Sequence, residues 1–130
     1  VQDLKRRCEM VRKIQPDCVL SIHQNSYPEE AIHGAQVFYY EDSSEGKKLA
    51  EILQKHLVEV LDKENHRQAK GNRTYYMLKK TEATLVIVEC GFLSNNQEAL
   101  LLTDEKYQNK VAKAICSGTL EYLSSLAEKK

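Results

Sequence analysis

Leu85-Val86-Ile87-Val88-Glu89-Cys90-Gly91-Phe92-Leu93-Ser94-Asn95 is the stretch that decides how this chain folds. Four consecutive aliphatic residues, three of them β-branched, make a strand buried on both faces. Glu89 follows directly where the apolar run stops. Gly91 permits a sharp turn and a close backbone approach, and Ser94-Asn95 supplies cap chemistry for a following helix. In open α/β sheets ligands collect just beyond the carboxyl ends of the strands. Glu89 is therefore a candidate functional carboxylate. The structural alternative is a glutamate that surfaces as the strand leaves the core.

A second run has the same form. Cys18-Val19-Leu20-Ser21-Ile22-His23 reads as another buried strand and also ends in a titratable side chain, with Gln24-Asn25-Ser26-Tyr27-Pro28 as loop. In a parallel sheet His23 and Glu89 face the same edge. Before it, residues 2–14 carry Leu4, Cys8 and Val11 on one stripe, an amphipathic helix that Pro16-Asp17 ends. After it, Ala35 to Tyr40 is a third strand, and Asp42-Ser43-Ser44-Glu45 starts a helix striped by Leu49, Ile52, Leu53, Leu57, Val60 and Leu61. The segment from Lys63 to Arg73 is polar and basic, with Gly71-Asn72 as a turn, and Tyr75 to Leu78 reads as a short strand. Residues 96–102 make a short helix. Thr103 caps a last helix from Asp104 to about Leu126, and the tail from Ala127 to Lys130 frays. Helices alternating with strands predict a three-layer α/β sandwich, a mostly parallel sheet flanked by helices.

The length of 130 residues predicts one domain over residues 1–130, able to bury roughly two-thirds of its unfolded surface. Nineteen basic residues balance nineteen acidic ones, which argues against a nucleic-acid binder, since that class carries a basic excess. The apolar runs are too short to span a membrane. No signal peptide is read, and a start at Val1 rather than Met reads as a fragment or a processed form. The cysteines at positions 8, 18, 90 and 116 form no C-x-x-C pair. Cys8, Cys18 and Cys116 read as small buried hydrophobes, whereas Cys90 lies beside Glu89.

A histidine and a glutamate at neighbouring strand ends suit three roles. One is a metal hydrolase, with His23 on zinc and Glu89 as ligand or base. Another is thiol catalysis, with Cys90 as nucleophile and His23 as base. The third is a satisfied polar pair with no chemistry. His33 and His66 read as solvated, and His56 as a flank or core residue of its helix. Spacing alone leaves the three open.

Ser21-Ile22-His23-Gln24-Asn25, then Gly34-Ala35-Gln36-Val37-Phe38-Tyr39-Tyr40, then Val88-Glu89-Cys90-Gly91-Phe92-Leu93-Ser94-Asn95 together resemble the zinc-dependent N-acetylmuramoyl-L-alanine amidases of bacterial cell-wall turnover. The resemblance runs from about Leu4 to Tyr122. Cysteine after the glutamate is similar to the sporulation and germination (CwlD-like) members found in spore formers. The resemblance implies that His23 is a zinc ligand and Glu89 the catalytic carboxylate. It implies hydrolysis of the amide between N-acetylmuramic acid and the L-alanine of the stem peptide, on the extracytoplasmic side of a bacterium. Cys90 becomes a packing residue under it. The loop residues Tyr27, Lys70, Asn72, Arg73 and Tyr75 are expected to be solvated surface, with a basic cradle for stem-peptide carboxylates as the alternative, in which Asn25 and Arg73 are the substrate-binding candidates.

In that family a strand with a Gly-His-Gly-Gly-type motif and a helix with a glutamate ligand come first, and this chain lacks both the strand and the helix. The expectation is weak zinc binding, with two of three ligands absent, and a fragment inactive by itself. Exposed surface left by the truncation predicts a homo-oligomer. The competing expectation is a non-catalytic module of degenerate amidase fold that grips peptidoglycan or a partner protein.

Overall fold

The computed structural model describes residues 2–128. In chain order these are α1 (Gln2–Ile14), β1 (Val19–Asn25), β2 (Gln36–Tyr40), α2 (Ser44–Leu61), β3 (Lys70–Asn72), α3 (Tyr76–Lys80), β4 (Leu85–Phe92), α4 (Asn96–Thr103) and α5 (Glu105–Glu128). The four strands form one sheet in the order β1-β4-β2-β3. β1 runs parallel to β4 and β2 parallel to β3, while β2 is antiparallel to β4. The sheet is thus mostly parallel, as expected, with one reversal at its centre.

Period-two alternation sorts the side chains onto two faces. Val86, Val88 and Cys90 of β4 join Leu20 of β1 and Val37 and Tyr39 of β2 in the cluster with Leu49, Leu53 and Leu57 of α2 and Val111, Ala114, Ile115 and Tyr122 of α5. Leu85 and Ile87, with Val19, Phe38 and Tyr40, pack instead against Cys8 and Leu4 of α1 and Met77 and Leu78 around α3. These are the three layers that the alternating helices and strands predict. α2 and α5 meet closely at Gly118, where a Cβ would lie 2.8 Å from Leu53 Cδ2.

All eight residues of β4 are buried, as an apolar run read as doubly covered requires. The strand does not stop at Val88, however. It continues through Phe92, because β1 extends alongside it to Asn25, with an irregularity in the ladder between His23 and Asn25. Glu89 is therefore inside the strand rather than beyond it. Gly91 makes no sharp turn. Its lack of a side chain accommodates the Glu98 carboxylate, whose atoms would lie 3.2 to 3.3 Å from a Cβ there.

Other expectations change as well. β1 is not doubly buried, since it is an edge strand and Ile22 is 54% exposed. Tyr75 to Leu78 is not a strand: Asn72 Oδ1 accepts the Thr74 and Tyr75 backbone N–H groups, a turn that leads into α3. The expected turn at Gly71-Asn72 is occupied by β3, whose three residues are too few for a periodic signal. Thr103 ends α4, and Asp104 caps α5 by accepting the Tyr107 N–H. Asn95 caps α4 as expected, accepting from the Glu98 N–H. Ala127 and Glu128 continue α5, and the rest of the expected frayed tail lies outside the described residues. Cys8 is buried, Cys18 only half-buried and Cys116 exposed, so the hydrophobic reading fails for Cys116.

Candidate active site

β1 and β4 place His23 directly opposite Glu89 in the ladder. The alternation that sends Cys90 into the core beneath α2 turns Glu89 the other way, under α1 and α3. Ser21, His23, Ile87 and Glu89 accordingly line one cleft of about 260 Å³, with Leu4 and Arg7 of α1 and Tyr75, Tyr76 and Met77 closing it. The two residues singled out at neighbouring strands do face one space.

Glu89 is 9% exposed, and its Oε2 is fully buried without a hydrogen-bond partner. An unsatisfied buried carboxylate oxygen costs stability, so a fold retains one where something else engages it. Burial raises the Glu89 carboxyl above the ordinary range, and His23 opposes that rise. Ser21 Oγ is hydrogen bonded to His23 Nε2 at 2.7 Å, which orients the imidazole. Tyr75 packs edge-to-face on Phe38 with ring centroids 5.5 Å apart. Its hydroxyl is raised first by burial and then by the negative charge of Glu89.

The thiol route loses its support here. Cys90 lies on the opposite face from Glu89, and its thiol is pushed up to about 11, chiefly by burial and then by Glu89. A buried thiol of that kind holds its proton and is a poor nucleophile. Among the described residues no three His, Cys, Asp or Glu side chains gather as a metal set. His23 and the orphaned Glu89 oxygen fit one side of a zinc centre, but they do not complete its usual three protein ligands. His33 and His66 are exposed as expected, and His56 pairs with Glu121 between α2 and α5 at 3.0 Å.

The loop candidates separate. Tyr75 lines the cleft. Arg73 does not. Its guanidinium makes a two-pronged pair with Asp42, at 2.8 and 3.0 Å, and reaches Glu41 at 2.8 Å. Asn25 ends β1, where its side chain accepts the Ser26 N–H and its carbonyl accepts the Leu93 N–H. Arg7 was not singled out by sequence reasoning because a basic residue on an amphipathic surface helix reads as solvated. The only available signal was its spacing of three from Leu4, which brings both side chains to one side of α1.

Glu98 is the other residue that sequence reasoning missed. Its carboxylate accepts the Gly34 N–H at 2.9 and 3.0 Å and the Phe92 N–H at 2.9 Å. It thereby ties the end of β4 to the segment that leads into β2. Arg67 braces the same corner, donating to the His33 carbonyl and lying 5.1 Å above the Phe92 ring.

Comparison with known proteins bears on the family and the fold. The germination-specific N-acetylmuramoyl-L-alanine amidase of Bacillus subtilis is 36% identical over 123 residues, 95% of this chain and 52% of the relative. The CwlD amidase of Clostridioides difficile, whose structure was determined with the GerS lipoprotein, superposes with a TM-score of 0.90 at 42% identity, covering 94% of this chain and 62% of that one. The catalytic domain of CwlV from Bacillus (Paenibacillus) polymyxa gives a TM-score of 0.84 at 30% identity, over 93% and 65%. The chain thus spans about half to two-thirds of the length of these relatives. A family model described as N-acetylmuramoyl-L-alanine amidase matches residues 1–121, and the chain belongs to that family.

Proposed function

We propose that residues 1–130 form one domain of a cell-wall hydrolase that cleaves the amide between N-acetylmuramic acid and the L-alanine of peptidoglycan stem peptides. The observation that carries this reading is the shared cleft: His23 and Glu89 are ladder neighbours on one face, and a Glu89 oxygen there is buried and unpartnered. Glu89 is the catalytic carboxylate. It takes the proton of the attacking water as the water oxygen bonds to the amide carbon, then returns that proton to the leaving amine as the C–N bond breaks. Its carboxyl, raised by burial, is better matched to that exchange near neutral pH than an ordinary one.

His23 is proposed as one zinc ligand, held in orientation by Ser21. When bound, zinc supplies Lewis-acid polarisation of the amide carbonyl. The remaining ligands have to come from outside the described residues, so zinc binds these residues weakly and they are inactive alone. Asn25 is proposed to contact substrate from the end of β1. Arg73 would have to exchange Asp42 and Glu41 to do so, which weakens its assignment.

Action on the cell-wall side, in sporulation or germination, follows from the likeness to the germination-specific relative. No helix among the described residues is long and apolar enough to cross a membrane. The C. difficile relative is seen with a lipoprotein, and a protein partner for this chain is part of the same reading. Self-association through the exposed β1 edge is also proposed, because β1 is paired on one side only among the described residues and Ile22 on it is exposed.

The test is release of stem peptides from purified peptidoglycan by the complete gene product. Glu89→Gln is expected to abolish release while circular dichroism and thermal unfolding stay those of the wild type. Undiminished release by that variant overturns the assignment, and binding of peptidoglycan without release supports a non-catalytic module instead.

A further inference from the structure

The lining of the His23–Glu89 cleft is divided in its chemistry. Leu4, Met77 and Ile87 give it apolar walls, and Arg7 is the one arginine or lysine among its described lining residues. The ion pair recorded for Arg7 is with Asp3, one helical turn away at 2.9 Å, with the two side chains 51% and 72% exposed. Exposed pairs of this kind are held weakly, so the guanidinium is available to a better-placed anion. Arg73 is the reverse case, engaged by two carboxylates and absent from the cleft.

We propose that Arg7 determines specificity in this cleft by binding a carboxylate of the stem peptide, while Leu4, Met77 and Ile87 receive the apolar part of the peptide beside it. The assignment rests on the amidase reading given above and deepens it. A guanidinium fork matches a planar carboxylate with two parallel hydrogen bonds, and it prefers that partner to a neutral amide. Electrostatics also fixes the direction of the peptide. Glu89 repels a second carboxylate and Arg7 attracts it, so the charged group is drawn to Arg7 and the scissile amide is left to Glu89.

The experiment measures kcat and KM of the complete gene product on two muramoyl peptides, one with a free α-carboxylate on the second stem residue and one with that group amidated. Arg7→Ala is expected to raise KM for the free acid about tenfold, to leave its kcat within about twofold, and to leave KM for the amide unchanged. Arg7→Lys, which keeps the charge without the fork, falls between. Arg6→Ala, an exposed neighbour on α1 that does not line the cleft, changes neither substrate. Equal losses on both substrates, or no loss on either, overturn the role of Arg7 while the amidase reading stands. A wild-type protein that hydrolyses neither substrate overturns the amidase reading itself, and this assignment with it. Should Arg7→Ala fail to fold, Arg7→Gln is held to the same criteria.

Discussion

His23 and Glu89 are paired across the parallel β1–β4 ladder, and their side chains enter the same cleft. Parallel pairing keeps the two strands in step, so alternation carries Ser21 with Ile87 and His23 with Glu89 onto one face. The neighbouring Cys90 is sent to the other face by the same rule. One backbone geometry thus separates the carboxylate from the thiol.

Cys90→Ala should therefore retain stem-peptide release within a few-fold, and lose roughly 1 to 2 kcal/mol of stability through the small cavity it leaves. Loss of activity in a folded Cys90→Ala protein would restore the thiol to the mechanism. Denaturation midpoints and release assays read both.

Stability should decline on the alkaline side. The Cys90 thiol is raised from 9.0 to about 11 in the fold, so the native state keeps its proton after the unfolded chain has lost it. That contribution is complete below pH 9 and is lost as pH rises through 11, on the order of 3 kcal/mol in all. Tyr107 and Tyr122, both raised to about 12 chiefly by burial, act in the same direction between pH 10 and 12. Urea denaturation at successive pH values should show the decline, and Cys90→Ala should flatten its portion between pH 9 and 11. A wild-type midpoint constant across that range contradicts the assignment.

Glu98→Ala should destabilise the chain by about 2 to 3 kcal/mol, because it strands the Gly34 and Phe92 N–H groups that now donate to one carboxylate. Glu98→Gln, which keeps a single acceptor oxygen, should recover part of this. Urea denaturation measures both, and a loss below about 0.5 kcal/mol would remove Glu98 from the role of corner brace.

Gly118→Val should cost about 1 to 3 kcal/mol by forcing α2 and α5 apart. The added Cβ falls 2.8 Å from Leu53 Cδ2, and Leu53 is completely buried and cannot swing away. A thermal midpoint equal to that of the wild type would show that the helix contact is looser than the structure indicates.

Ile22→Lys should weaken self-association, since it puts a charge on the unpaired edge of β1. Light scattering is expected to show the wild-type chain above monomer mass at high concentration and the variant closer to it. A monodisperse wild-type monomer contradicts the proposed edge contact.

The parts of the fold that could be read from sequence are those with strong periodicity or capping. Leu85 to Val88 announces a buried strand, the stripe from Leu49 to Leu61 announces α2, and Asn95 announces the start of α4. The misread parts are those where short-range chemistry wins. The Asn72 side chain starts the turn into α3 through two local hydrogen bonds, which an apolar pattern over Tyr75 to Leu78 does not reveal. β1 resembles β4 in composition, but an edge position is a property of the whole sheet and not of the strand. At the site, strand alternation made the His23–Glu89 juxtaposition legible. Glu98 was not, because the Gly34 N–H it accepts lies far away in sequence, and Arg7 was not, because its place in the cleft comes from how α1 packs on the sheet.

The central claim is that His23 and Glu89 act on one bond, and a double-mutant cycle on stem-peptide release tests it most directly. His23→Ala, Glu89→Gln and the double variant are compared by kcat/KM in the complete gene product. Residues that act as a unit give a double variant scarcely worse than either single one, and that is the expected result. Losses that multiply, or a single variant that keeps wild-type turnover, would contradict it.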